Sequence, residues 1–168
     1  MSLNKILVTL NQSELSRKIL PCVEKLFPAD TNHLTLYFIT RPPAMVGLGE
    51  PDLGAGYVQM PGDKPVRQTL HPIYATQQED NIDAHVKSEL APVVSLLEGK
   101  GYTVAVKVGF NKDPIAAIQR YIVRHDIDLV AMSTRARVGM TRFFFRDMAD
   151  TLAQKTDIPV LLVHPTEG

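Results

Sequence analysis

The 168-residue chain carries 18 basic and 18 acidic residues, for a formal net charge of zero, and 45% of it is hydrophobic. That balance gives no global attraction to nucleic acid or to an anionic membrane, so neither is expected as a partner. The length suits one domain, taken as residues 1–168. No apolar run approaches the roughly 20 residues of a bilayer span, and no basic segment followed by an apolar core opens the chain, so a cytoplasmic protein is expected.

Lys5 to Leu10 is a short apolar, β-branched run of the kind that forms a strand covered on both faces. Ser13 then offers an N-cap. Leu15, Ile19, Val23 and Leu26 recur at helical spacing up to Phe27-Pro28, with Pro21 expected to kink that first helix. The sole cysteine, Cys22, lies on the same stripe as Leu15, Ile19 and Leu26 and is expected as a buried structural thiol. His33 to Ile39 reads as a second strand, closed by Thr40-Arg41-Pro42-Pro43.

From Arg41 to about His71 the chain is rich in proline and glycine and has no sustained apolar period, as expected of a flexible connection. Its glycines do not follow a strand and open a helix, so they make no dinucleotide fingerprint. Ile82, Val86, Leu90, Val93 and Leu97 mark a long amphipathic helix interrupted by Pro92 and ending at Gly99-Lys100-Gly101. Tyr102 to Val108 alternates as a third strand, and Asp113-Pro114 opens a helix that turns Ile115, Ile118 and Ile122 inward. Asp128 to Met132 is a fourth strand. A helix through Met148 and Leu152 and a last strand from Pro159 to Val163 complete the chain. Strands alternating with helices in this way predict a three-layer α/β fold, a five-stranded parallel sheet with helices on both faces.

Much familiar chemistry is missing. No serine stands in a G-x-S-x-G elbow. The five histidines, at 33, 71, 85, 125 and 164, lack metal-ligand spacing and read as structural or solvated, so no metal is expected. There is no G-x4-G-K-[ST] phosphate loop. Where a receiver domain would gather carboxylates after its first strand, this chain has Asn11-Gln12.

The opening Ile6-Leu7-Val8-Thr9-Leu10-Asn11-Gln12-Ser13, the joint Val108-Gly109-Phe110-Asn111-Lys112-Asp113-Pro114, the run Asp128 to Thr134 and the ending Ile158 to Val163 together resemble the universal stress protein family. The resemblance covers essentially the whole chain. It implies a Rossmann-like (adenine nucleotide alpha hydrolase-like) fold, a homodimer, and either an ATP-binding or a non-binding member. ATP-binding members are similar in carrying G-x2-G-x9-G-[ST] after the fourth strand and an aspartate at the end of the first. The matching positions here are Ser133, Ala136, Arg146 and Asp147, with Asn11 in place of the aspartate. The candidate cofactor-binding residues carried over are Leu10, Asn11, Ser133, Ala136, Arg137, Arg146 and Asp147.

The segment Ser133 to Asp147 is a polar, arginine-rich loop expected between a buried strand and a helix, where free amides and a positive dipole end gather around an anion. A phosphate must touch those amides, and each Cβ in place of a motif glycine obstructs the approach. Asp147 adds repulsion of about 1 kcal/mol at 4 Å in bulk water and about 4 at an effective dielectric of 20. Arg135, Arg137, Arg142 and Arg146 form a basic cluster open to three readings: a solvated or salt-bridged patch, a site for a small anion or an acidic protein partner, or altered contacts to a nucleotide. Phe143-Phe144-Phe145 cannot all face inward on a helix, so one ring is expected to be partly exposed.

The reading favoured is a non-enzymatic stress-response or regulatory module without catalytic residues, with no cofactor because ordinary ATP binding is lost. The alternative is an ATP- or AMP-binding member, with slow ATPase activity, whose arginines replace the glycine-rich cradle. A third class, a substrate-adenylating enzyme, would need glycine and serine after the first strand, and Leu10-Asn11-Gln12-Ser13-Glu14 has no glycine. In the resembled family the last strand pairs with its twofold mate. Val160, Leu161, Leu162 and Val163 are apolar and uncharged, an edge that invites another chain.

Overall fold

The computed structural model describes residues 3–42, 72–133 and 142–164; the side chains at positions 15, 72–75 and 142–147 lie outside the description. The elements, in order, are β1 (Asn4–Leu10), α1 (Glu14–Arg17), α2 (Leu20–Leu26), β2 (Asn32–Thr40), α3 (Pro72–Gly99), β3 (Thr103–Phe110), α4 (Pro114–His125), β4 (Leu129–Ser133), α5 (Arg142–Lys155) and β5 (Val160–Val163). All five strands pair in parallel, in the order β3-β2-β1-β4-β5.

The period of two along each strand sorts its side chains between two cores. Ile6, Val8 and Leu10 of β1 join Leu34, Leu36 and Phe38 of β2 beneath Ile19 and Val23 of the α2 segment and Val86, Leu90 and Leu97 of α3. Leu7 faces the other way, with Tyr37, Val130 and Met132, beneath Ile118 and Ile122 of α4 and Ala149 and Leu152 of α5. The result is the expected three layers. Burial of each large aliphatic side chain in this set contributes roughly 1.5–3 kcal/mol relative to exposure.

The first helix differs from expectation. Pro21 does more than kink it: the chain breaks into α1 and α2, and Pro21 sits in the first turn of the second piece. A proline there gives up an N–H that has no helical partner in any case, whereas inside a continuous helix it would remove a bond and clash. The break re-aims the stripe. Cys22 is half-buried rather than buried, and Leu26 is 51% exposed, while Ile19 and Val23 carry the contact with the sheet. The side chain of Leu15 lies outside the description.

Helix α3 begins at Pro72, well before the apolar stripe at Ile82; Thr76 to Asn81 is polar and mostly exposed, so that stretch of the helix carries no apolar period. Pro92 lies inside it and the helix continues past. It is capped at Gly101, whose φ of 95° only glycine adopts readily, with the Tyr102 N–H donating to the Leu97 carbonyl at 3.1 Å; Gly99 remains helical. Asp113 caps α4 as expected, its Oδ1 accepting from the Ala116 N–H at 3.1 Å.

Exposed His125 stacks on Tyr121 at 4.1 Å between centroids, and Tyr121 stacks on Tyr37 at 4.7 Å. Burial, ahead of the neighbouring tyrosine, pushes the Tyr37 hydroxyl above its ordinary range, and burial does the same to Tyr121. The Tyr37 ring lies over Gly109 of β3. An ideal Cβ on that glycine would stand 2.8 Å from Tyr37 Cζ, 2.9 Å from Cε2 and closer still to Oη. Gly109→Ala should therefore destabilise the fold by about 1–3 kcal/mol, read as a lower urea midpoint at unchanged slope. An unchanged midpoint would mean that the ring swings aside without cost.

Candidate functional site

From β1 the chain builds outward through β2 to β3, then crosses to the opposite side of β1 for β4 and β5. Connections leaving β1 and β4 in opposite directions open a crevice at the carboxyl ends of these strands, the place where open α/β sheets bind ligands. A cavity of about 510 Å³ lies there. Its wall is assembled from four strand ends: Thr9 to Ser13 at and beyond the end of β1, Ile39 to Arg41 at and beyond the end of β2, Asn111 and Lys112 after β3, and Met132 with Ser133 at the end of β4. Ile118 of α4 and Met148 of α5 extend the apolar side, with Ile118 and Met132 fully buried.

Two of the junctions fold by the same local chemistry. Asn11 Oδ1 accepts the Ser13 N–H at 2.8 Å, and Asn111 Oδ1 accepts the Asp113 N–H at 2.9 Å. Each asparagine thereby closes an Asx turn between a strand and a helix. The β1 turn is braced further by Ser16, whose Oγ accepts the Asn11 N–H at 3.2 Å and donates to the Ser13 carbonyl at 2.7 Å. The β3 turn is tied to the sheet by the Asn111 N–H, which donates to the Thr40 carbonyl at 3.0 Å.

Arg41 and Lys112 are the charged residues of the wall, and among the described residues no aspartate or glutamate lines it. The register pairs Thr40 with Phe110, so Arg41 follows one strand end by one residue and Lys112 follows its neighbour by two. Among the described residues, no group of three metal-ligating side chains converges here or elsewhere.

Of the residues singled out in the sequence, Leu10, Asn11 and Ser133 line the cavity. Arg135, Ala136 and Arg137 lie outside the described residues. Arg142, Arg146 and Asp147 belong to the backbone of α5, with side chains outside the description, as are the rings of Phe143, Phe144 and Phe145. This shortens the expected Ser133–Asp147 loop, because the helix has already begun at Arg142. In a helix starting there, the amides at 146 and 147 are committed to the carbonyls four residues back; only the first few N–H groups stay free. Val160 to Val163 occupy the sheet edge, each half-buried. Sequence reading passed over Arg41, Asn111 and Lys112 as site residues. The Asn-x-Asp-Pro spacing at 111–114 was the visible signal, but only strand register brings Arg41 beside it.

The universal stress protein family model matches residues 3–164. Solved structures with the same fold include a hypothetical protein studied for structure-based assignment of its biochemical function, at 17% identity over 100% of both chains and a TM-score of 0.64. A universal stress protein from Archaeoglobus fulgidus is 15% identical over 96% of this chain and 98% of its own, at a TM-score of 0.57. A universal stress protein in complex with cAMP is 15% identical over 99% and 100%, at a TM-score of 0.54. No curated protein sequence matches significantly.

Ser16 is 4% exposed and holds the β1 turn through a hydroxyl that both accepts and donates. Ser16→Ala should lower stability by about 1–3 kcal/mol, because it leaves a part-buried amide without its acceptor. Urea unfolding measures the loss, and hydrogen exchange should show the Asn11 amide exchanging faster. A variant with wild-type stability and wild-type Asn11 protection would show that the turn holds without it.

Proposed function

The chain belongs to the universal stress protein family, and from that premise we propose that it is a non-enzymatic stress-response or regulatory module, cytoplasmic and homodimeric, that has lost ordinary ATP binding and acts through protein contacts. The observation that carries this reading is the start of α5 at Arg142, which draws positions 146 and 147 into the helical ladder. A phosphate cradle at those positions needs amides that still point outward. Side-chain chemistry adds to the difficulty: an arginine and an aspartate stand where a glycine and a small hydroxyl residue would permit close approach.

Support for the dimer comes from the position and composition of β5. It is an edge strand of four apolar residues whose outer backbone groups face no other strand among the described residues. Pairing with a twofold copy would satisfy those groups and close the assembly, and Pro159 at the strand start confines the pairing to a short segment. Among the described residues no helix is long and apolar enough to cross a membrane.

The nucleotide-binding alternative is kept because the crevice retains a cavity of about 510 Å³ and because one solved relative was crystallised with cAMP. Calorimetry separates the two readings. ATP should show no binding at micromolar concentrations with or without Mg²⁺, and glycine at positions 133, 136 and 146 together with Asp147→Ser should bring measurable affinity back. Micromolar affinity in the wild-type protein would overturn the proposal.

Assembly is tested separately. Light scattering at tens of micromolar should report twice the 18.6 kDa chain mass, and Leu161→Lys should shift the population toward monomer. A wild-type monomer at that concentration would refute the dimer.

A further inference from the structure

We propose that the crevice is a binding site for a compact amphipathic anion, an apolar body carrying a single anionic head, held between Arg41 and Lys112 on the β2–β3 side. This rests on the reading above, in that the β4–α5 junction no longer offers the phosphate cradle. It relocates the recognition of charge to a different pair of strand ends.

The charge pattern is the first argument. Arg41 and Lys112 follow adjacent paired strands, so the ladder itself brings them together. Neither forms an ion pair among the described residues, where the salt bridges join Lys87 to Asp83 and Lys100 to Glu24. The acidic side chain nearest in sequence, Asp113, caps α4 through Oδ1 and does not line the cavity. Two cations that no carboxylate among the described residues neutralises match one head of charge −1 to −2. A guanidinium fork adds bidentate geometry for the oxygens of such a head.

The two Asx turns supply the second argument. Asn11 and Asn111 each use their Oδ1 on a backbone N–H, which leaves each Nδ2 as the remaining hydrogen-bonding group. Neither Nδ2 has an acceptor among the described residues, and both residues line the cavity. The wall therefore offers N–H donors where an acceptor-rich head would lie. An aspartate at position 11 could close the same turn, but its second oxygen would repel an anion; asparagine reverses that preference.

The third argument is the rest of the wall. Ile39, Ile118, Met132 and Met148 give it an apolar side suited to a hydrocarbon or aromatic body, with thioethers that adapt to shape. A volume of about 510 Å³ falls within the usual range for a small-molecule site, roughly 300–1,000 Å³.

The probe for the test is 8-anilinonaphthalene-1-sulfonate, which combines an aromatic body with one sulfonate. Its fluorescence with the full-length folded chain should saturate at one site per chain and weaken as salt is raised. Arg41→Gln with Lys112→Gln should weaken it by about tenfold or more, the scale of a lost charge-assisted hydrogen bond. Asn11→Asp should weaken it several-fold, and Lys87→Gln should leave it unchanged. Circular dichroism establishes that each variant is folded. Displacement by octanoate and by octyl phosphate identifies whether a carboxylate or a phosphate head is preferred, and displacement by either supports the site.

Non-saturable binding, or equal affinity in the double variant, would overturn the inference. ATP affinity that depends on positions 133, 136 and 146 would instead defeat the functional reading, while the Arg41 and Lys112 dependence of sulfonate binding would still decide this one.

Discussion

From Ile6 to Leu10 strand β1 has no solvent-facing side, and the rest of the molecule is arranged around that fact. Ile6, Leu7, Val8 and Leu10 are at most 3% exposed, with α2 and α3 on one face and α4 and α5 on the other. Its backbone is paired along both edges, by β2 and by β4. A strand held on four sides can be left only at its ends. The carboxyl end, where β2 and β4 lead away in opposite directions, is where the chain must turn under constraint and where a cavity stays open.

The three strand-to-helix junctions around that cavity solve the turning problem differently, and the difference bears on chemistry. After β1 and β3 an asparagine that lines the cavity closes the turn with its side-chain Oδ1. At the β4 junction α5 starts at Arg142, so the motif positions 146 and 147 contribute helical amides. The proposed anion site therefore relies on side chains rather than on backbone amides. Backbone cradles suit several phosphates in a row, because successive amides converge without side-chain entropy. Two long cationic side chains suit a single head, since each must be ordered to bind.

The sequence made the strands legible because β1 and β2 are covered on both faces and because Asp113-Pro114 is an unambiguous helix start. Length set the single-domain expectation. Pro21 was harder to read: the stripe of Ile19, Val23 and Leu26 continues through it, and only packing shows that the helix breaks and leaves Leu26 outside. The early part of α3 was silent because an exposed helix needs no apolar period. Gly99 and Gly101 were equal candidates for the cap until backbone φ distinguished them. For the site, Asn11 and Ser133 were accessible through a motif, but Arg41 and Lys112 follow different strands far apart in sequence. Their proximity is a property of β2–β3 register, and no local pattern encodes register between distant strands.

The claim on which the account turns is that the amides at 146 and 147 are already spent inside a helix. Residue-resolved NMR of the ligand-free protein, with hydrogen exchange and an ATP titration followed on those two amides, tests it directly. The account predicts that both are protected to the degree of the following turns of α5 and that neither resonance moves as ATP is added. Rapid exchange at 146 and 147, with resonances that shift and saturate at micromolar ATP, would contradict it.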